Sequence, residues 1–301
     1  MAIVTMEENL SIRYICEEYN LRIYGTLTKN LLQEIISIHN TTPHATIAFG
    51  RTLNAAVLLA ASSIKPHSTD SLSIHLSCSG PIKEILVQID GKGNVRGFVG
   101  NPTVDVELQS DTLNISKALG AGVITVTRDL GLKEPYRSVS PIIYGDIAKD
   151  IAYYLLESEQ IPSAIILTAN CDRNGAITRS AGILIQTFPN TPTPVIESIE
   201  NKLHTDFSLD KKIEAGVSLK DCIEELIGKE IKELGLLKLQ HKCRCNKELL
   251  SSILESVQTE ELADMINKDH GALVTCVFCK KEYHFTEEEL QKILLKKEKI
   301  H

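Results

Sequence analysis

The sequence predicts an α+β fold in three parts: an N-terminal mixed α/β core domain (1–190), a helical charged linker (191–242) and a small C-terminal domain (243–301). Three observations carry this. Period-two apolar runs and helix-period runs are both present, but they do not alternate strictly as a doubly wound parallel sheet requires. Charge and proline density rise after Pro189. Four of the eight cysteines cluster beyond residue 242. With 301 residues, 43% of them hydrophobic and 24% charged, the chain is long enough to bury one large core and a smaller one.

The first domain opens on a short apolar stretch, "NLRIYGTLT" (20–28), and a helical pattern in "LTKNLLQEIISIHN" (27–40). From Thr42 to Ser63, "TPHATIAFGRTLNAAVLLAASS" is rich in alanine and leucine at helical spacing, which predicts a helix buried on most sides. The period then drops to two. Leu72, Ile74 and Leu76 alternate, as do Ile85, Val87 and Ile89, and the turn "GKGN" with the run "VRGFVG" completes a predicted meander. "GVITVTRDL" and "YRSVSPIIY" make a further strand pair around a loop with Gly131 and Pro135. A helical stretch, "GDIAKDIAYYLLESEQIP", leads to a hairpin whose strands "SAIILTA" and "AITRSAGILIQTFP" join through "NCDRNG".

At "PNTPTP", Pro189 to Pro194, three prolines in six residues cannot continue a central strand or helix. From Asn190 to Lys242, 18 of 53 residues are Asp, Glu, Lys or Arg, denser than the chain average. Ile223, Leu226, Ile227, Ile231 and Leu234 still make an apolar stripe at helical spacing in "DCIEELIGKEIKELGLL". The stripe is thin and Gly216, Gly228 and Gly235 lie nearby, so an amphipathic helix of marginal stability is expected. The chain closes on a predicted helix, "TEEELQKILLKK", with Thr286 and Glu289 at capping-box spacing and a basic C-terminal end.

A net charge of -7 and a pI near 5.8 argue against a protein built to bind phosphate backbones. The opening "MAIVTMEENL" lacks the basic and apolar regions of a secretory signal, and no apolar run approaches the roughly 18 residues that cross a bilayer. A cytoplasmic protein with no nucleic-acid or membrane partner is expected. No phosphate-loop motif is present, "GKGNVRG" reads as hairpin chemistry, and no Ser/His/Asp or paired-carboxylate array stands out, so no enzyme is expected.

In a reducing compartment the eight cysteines are not a disulfide framework. Cys16, Cys78, Cys171 and Cys222 are solitary and read as small apolar residues. Cys243 and Cys245 form a C-x-C pair, and about thirty residues later Cys276 and Cys279 form a C-x-x-C pair. Two such knuckles supply the four-thiolate shell that Zn²⁺ prefers, which makes these four the candidate metal ligands, Zn²⁺ the candidate cofactor and the last domain a zinc-binding one. Lys242, Arg244, Lys247, Lys280 and Lys281 lie beside them in sequence, where they would offset the charge of four thiolates on a divalent ion. His270 and His284 are possible substitute ligands.

Four protein ligands close the shell, against a catalytic zinc that keeps an open position. Thr275 stands where a zinc deaminase has proline. From Cys243 to His301, 9 Lys and Arg face 11 Asp and Glu, against a nucleic-acid zinc ribbon. The C-x-C spacing suits a site that is taken apart: oxidation of the thiolates to disulfides would strip the ion of its ligands and unfold a metal-folded module. Two rival readings are a constitutive zinc-module interaction protein and a thiol oxidoreductase using Cys276 and Cys279. The missing thioredoxin-like βαβ pattern weighs against the latter.

The cysteine array, together with "GDIAKDIAYYLLESEQIPS", "SEQIPSAIILT" (Ser158 to Thr168), "AGILIQTFP" (Ala181 to Pro189) and "GAGVITVT", resembles the redox-regulated heat shock protein 33 family over nearly the whole chain. The resemblance implies an ATP-independent holdase, inactive while reduced and zinc-bound, that protects unfolding client proteins during oxidative and heat stress. It also implies that oxidation joins Cys243 to Cys245 and Cys276 to Cys279 and releases zinc. The metastable linker (191–242) and the redox-switch domain (243–301) then unfold, the chaperone core (1–190) offers apolar surface, and the oxidised chain forms a homodimer.

Overall fold

The structure is a computed structural model that describes residues 8–106, 114–172 and 174–298. The sequence readings at 1–7, at Arg173 of the hairpin loop and at 299–301 of the C-terminal domain lie outside the described residues. Two compact units divide between His241 and Lys242.

In the first unit β1 (Leu10–Cys16) and β2 (Leu21–Leu27) pair, followed by α1 (Lys29–His39) and α2 (Pro43–Ser63). The predicted meander is β3 (Ser71–Cys78), β4 (Glu84–Asp90) and β5 (Asn94–Val99). After the short α3 (Ile115–Leu119), β6 (Gly122–Asp129) returns to pair with β3 and carries β7 (Tyr136–Ile142) on its other edge. Then come α4 (Ile147–Glu159), the predicted hairpin of β8 (Ser163–Cys171) and β9 (Ile177–Thr187), and α5 (Thr193–Thr205), α6 (Leu209–Glu214) and α7 (Leu219–Ile227). Strand β10 (Lys232–Lys238) and the two-residue β11 (Gln240–His241) close the unit. One sheet runs β10-β1-β2-β9-β8 and the other β11-β5-β4-β3-β6-β7. Among the described strands, pairing is antiparallel except for β11 with β5, in keeping with the α+β class.

Helix α2 is the core element that the two sheets share. It packs against β8, β9 and β2 of one sheet and β3 and β4 of the other, and sixteen of its 21 residues are buried. By length and composition it is the one described helix able to span a bilayer, yet 83% of its apolar window is buried within the protein. Asn54, buried at its centre, is satisfied on both sides of its amide: Thr28 Oγ1 donates to Asn54 Oδ1 at 2.7 Å, and Asn54 Nδ2 donates to the Thr168 carbonyl at 3.1 Å.

The structure adds several elements to those read in sequence, β1, α3, α5 and α6 among them, and shortens one helix. Strand β1 is absent from the elements read in sequence, although Leu10, Ile12, Tyr14 and Cys16 alternate and are all buried. The helix expected through Leu237 stops at Ile227, because Gly228 adopts φ 79° and its N–H caps the Glu224 carbonyl. The chain then extends as β10 and takes the edge of β1, from Ile15 opposite Lys232 to Leu10 opposite Lys238. Ile231 is buried, whereas Leu234, on the same notional helical stripe, is 58% exposed.

Period two gives the five-stranded sheet two apolar faces. Tyr24 and Leu184 join the core around α2, while their neighbours Ile23, Ile183 and Ile185 join a second core with Ile199, Leu209, Leu219, Ile223 and Leu226. Helices α5 to α7 therefore cover the face turned away from α2. Leu219 seats directly over Gly25, where a Cβ would come within 2.7 Å of its Cδ2. Ile223 is fully buried in this layer, and Ile223→Ala is expected to lower stability by about 2–5 kcal/mol, read as a fall in the urea midpoint.

The second unit holds α8 (Lys247–Leu254), α9 (Thr259–Asn267), the hairpin β12 (Gly271–Thr275) and β13 (Glu282–Thr286), and α10 (Glu287–Glu298). The capping box forms as expected: Glu289 N–H donates to Thr286 Oγ1 at 3.3 Å and Thr286 N–H donates to Glu289 Oε2 at 2.9 Å. The core of this unit comprises Leu250, Leu254, Leu262, Ile266, Phe285, Leu290 and Ile293. So few buried side chains do not ordinarily hold a unit of this size without a covalent or metal staple.

Candidate metal centre

The cysteines reach one point from two segments. Cys243 and Cys245 lie on the extended chain before α8, whose start is set by Asn246 Oδ1 accepting from the Leu249 N–H at 2.7 Å. Cys276 and Cys279 sit on the turn between β12 and β13. There Lys280 N–H donates to the Cys276 carbonyl and Cys276 N–H donates to the Lys281 carbonyl, both at 2.9 Å, with Lys280 in the left-handed region at φ 58°. That turn folds the C-x-x-C thiols back toward the C-x-C pair.

All four Sγ atoms lie within 4.8 Å of one another. Two close approaches cross between the segments, Cys243 to Cys276 at 3.7 Å and Cys245 to Cys279 at 3.4 Å. None of the four is joined in a disulfide; Cys276 is buried and the other three are half-buried. Tyr283 Oη donates to Cys245 Sγ at 3.2 Å and to its carbonyl at 3.1 Å. No feature of the sequence singles out this tyrosine.

Crowding makes the sulfurs ionise unequally. Burial opposes the Cys245 thiolate, but hydrogen bonds from Tyr283 and the neighbouring thiols outweigh it and bring Cys245 down to about 7. Burial pushes Cys279 up; the Lys281 backbone N–H works the other way, but the neighbouring sulfurs reinforce burial and carry it to about 12. Four sulfurs this close cannot all be thiolates unless a cation neutralises them. The donor set could hold a metal ion and is compatible with zinc.

The flanking charges are only partly as expected. Lys247 is paired with Glu289 at 2.6 Å and lies over the Phe285 ring, and Lys281 lies over the Tyr283 ring at 5.1 Å. His270 pairs with Glu287 at 3.3 Å and His284 is exposed on β13, so neither joins the cluster. Of the solitary cysteines, Cys78 and Cys222 are both raised to about 11 by burial, which keeps them protonated and inert.

Comparison with known proteins bears on the entire architecture. The Hsp33 protein family model matches residues 9–286. The 33 kDa chaperonin of Geobacillus sp. (strain WCH70) is 34% identical over 285 residues, covering 94% of this chain and 96% of that protein. That of Aquifex aeolicus (strain VF5) is 35% identical over 277 residues, covering 90% and 85%. The crystal structure of the 33 kDa chaperonin (heat shock protein 33 homolog) from Thermotoga maritima matches with a TM-score of 0.86 at 28% identity, over 97% of this chain and 100% of that one. What the fold and its likenesses define is a chaperone of mixed α and β architecture. The chain belongs to the Hsp33 family.

Proposed function

We propose that this chain is a redox-regulated, ATP-independent holdase of the cytoplasm, and not an enzyme. Its partners are unfolding proteins during oxidative and heat stress, with no nucleic-acid or membrane partner. In the reduced state Cys243, Cys245, Cys276 and Cys279 hold one Zn²⁺, which supplies the cation the crowded sulfurs need and a staple for a unit of few core residues. The observation that carries this reading is the convergence of four sulfurs within 4.8 Å from two separate segments. Tyr283 orients and polarises one of them. Tyr283→Phe is expected to weaken zinc retention by about 10- to 100-fold, measured by competition with a chelator.

Oxidation dismantles the site. Each hydrogen peroxide takes two electrons from one thiol pair, an S–S bond forms, and the peroxide oxygens leave with the thiol protons as two waters. Two peroxides join Cys243 to Cys245 and Cys276 to Cys279. With no thiolates left to ligate, the four residues release the ion and the switch domain (243–301) loses its staple. The segment 191–242 then acts as a metastable linker on the core (1–190). The physical support is what that segment covers: Leu10, Ile12, Leu21, Ile23, Ile183 and Ile185 form a contiguous apolar face under α5 to α7. Lifted off, this layer uncovers surface suited to unfolded clients and to a second oxidised copy.

The test follows zinc with a colour reagent while peroxide and mild heat are applied, alongside light scattering from a thermally unfolding client and proteolysis of residues 191–242. Release of one zinc per chain, new protease sensitivity and suppressed aggregation are expected to rise together. Zinc that stays bound, with a linker resistant throughout and no holdase activity, would instead mark a constitutive interaction module and overturn the reading.

A further inference from the structure

A cavity of about 270 Å³ opens in the first unit where the last turn of α2, the loop 64–70, the end of β4 and strand β10 meet. Its walls are apolar, formed by Val57, Ala60, Ile64, Ile89 and Leu237, while Arg13, Lys65 and His67 bring positive charge or hydrogen-bond donors to it. Among the described residues none of these three forms an ion pair with an acidic side chain. Arg13 Nη2 donates to the Ile64 carbonyl at 3.1 Å, which commits one of the five guanidinium hydrogens. Burial works against its charge and lowers its pKa. The acid in the lining, Asp90, is buried and turned to other work: its carboxylate accepts from the N–H groups of Lys92 and Asn94 and from Asn94 Nδ2, at 2.9, 3.0 and 2.9 Å. Gly235 lies opposite Arg13 in the β1–β10 register, and a Cβ built there meets nothing within 4 Å, so the position facing Arg13 is left open.

We propose that this cavity binds a small amphipathic carboxylate, its head group on Arg13 and Lys65 and its short apolar tail against Val57, Ala60, Ile89 and Leu237. A planar guanidinium with free donors matches a carboxylate in two-point geometry. The apolar walls favour a tail over a bare oxyanion, and the volume, just below the roughly 300–1,000 Å³ of sites for drug-sized ligands, keeps that tail short. Because β10 is one wall, the ligand binds only while β10 is paired with β1, and by linkage its occupancy holds β10 there. The regulatory meaning of that hold rests on the linker reading above; the binding itself does not.

The test is calorimetric titration of the reduced full-length protein with hexanoate, with hexanol and inorganic phosphate in parallel, and amide hydrogen exchange across Lys232–Lys238. Saturable one-to-one hexanoate binding is expected, roughly tenfold or more tighter than either control. Arg13→Gln, which keeps a donor for Ile64, weakens it by about tenfold or more. Ala61→Leu, which fills the cavity from α2 without changing charge, abolishes it. Exchange in β10 slows when hexanoate is bound. Equal binding of hexanol or phosphate, no saturable binding of hexanoate, or unchanged affinity in folded Ala61→Leu overturns the site. Hexanoate binding with unaltered β10 exchange overturns the coupling.

Discussion

Replacing Cys276 with serine is expected to abolish stoichiometric zinc binding and leave the C-terminal unit unfolded even in reducing buffer. Cys276 is the most buried of the four, at 5% exposure, and its backbone closes the turn on both sides through Lys280 and Lys281. A serine hydroxyl neither ionises near neutral pH nor matches the softness of thiolate sulfur. Structural zinc sites of this kind contribute on the order of 10–16 kcal/mol of apparent binding energy to folding, and a core of seven buried residues has little to set against that loss. Metal analysis of the purified variant and proteolysis across 242–298 give the answer. Full zinc content with a protected C-terminal unit would show that the four sulfurs do not act as one site.

Asp210→Ala is expected to loosen α5 to α7 from the first unit while zinc remains bound. Asp210 Oδ1, on α6, accepts from Thr168 Oγ1 at 2.7 Å, Asn170 Nδ2 at 2.6 Å and Arg179 Nε at 2.8 Å, tying the helix to β8 and β9. Arg179 also reaches Glu214 at 2.6 Å. The Asp210 side chain is 34% exposed, so solvent discounts each contact, and the net loss is on the order of 2 kcal/mol. Burial opposes ionisation of Asp210, but the donors outweigh it and hold its pKa below the ordinary 3.8. A depressed carboxylate stabilises the fold fully above its unfolded pKa, and that stabilisation is lost as pH falls through the lower folded value. The tie is thus intact at neutral pH and fails only in strong acid. Protease sensitivity of residues 191–241 in the reduced, zinc-loaded variant should rise at neutral pH. No rise would mean that apolar burial alone holds the layer.

Much of this was legible in local pattern. Thr42 to Ser63 declares a core helix through alanine, leucine and helical spacing, and its burial followed because nothing in that run can face water over more than a turn. The meander was readable because alternation in Leu72–Leu76 and Ile85–Ile89 is a short-range property, and the late hairpin because two apolar runs flank the turn residues of "NCDRNG". Strand β1 carried the same alternation, but its short run gave no turn on its N-terminal side to frame it. The linker stripe misled beyond Ile227, since Ile231 and Leu234 fit helical spacing equally well as text. What overrides the spacing is a left-handed Gly228 and an open edge on β1, a partner more than 200 residues away in sequence.

The sequence by itself determined the α+β class, the shared core helix, the cluster of four cysteines and the family likeness, because each depends on residue type at short spacing. Only the tertiary structure decided that residues 232–238 form a strand, that Tyr283 rests on Cys245, that Lys247 is diverted to Glu289, and that Arg13 faces a cavity with no acidic partner among the described residues. These are contacts between residues far apart along the chain. Their existence depends on which surfaces close on one another when apolar area is buried, and no local period encodes that.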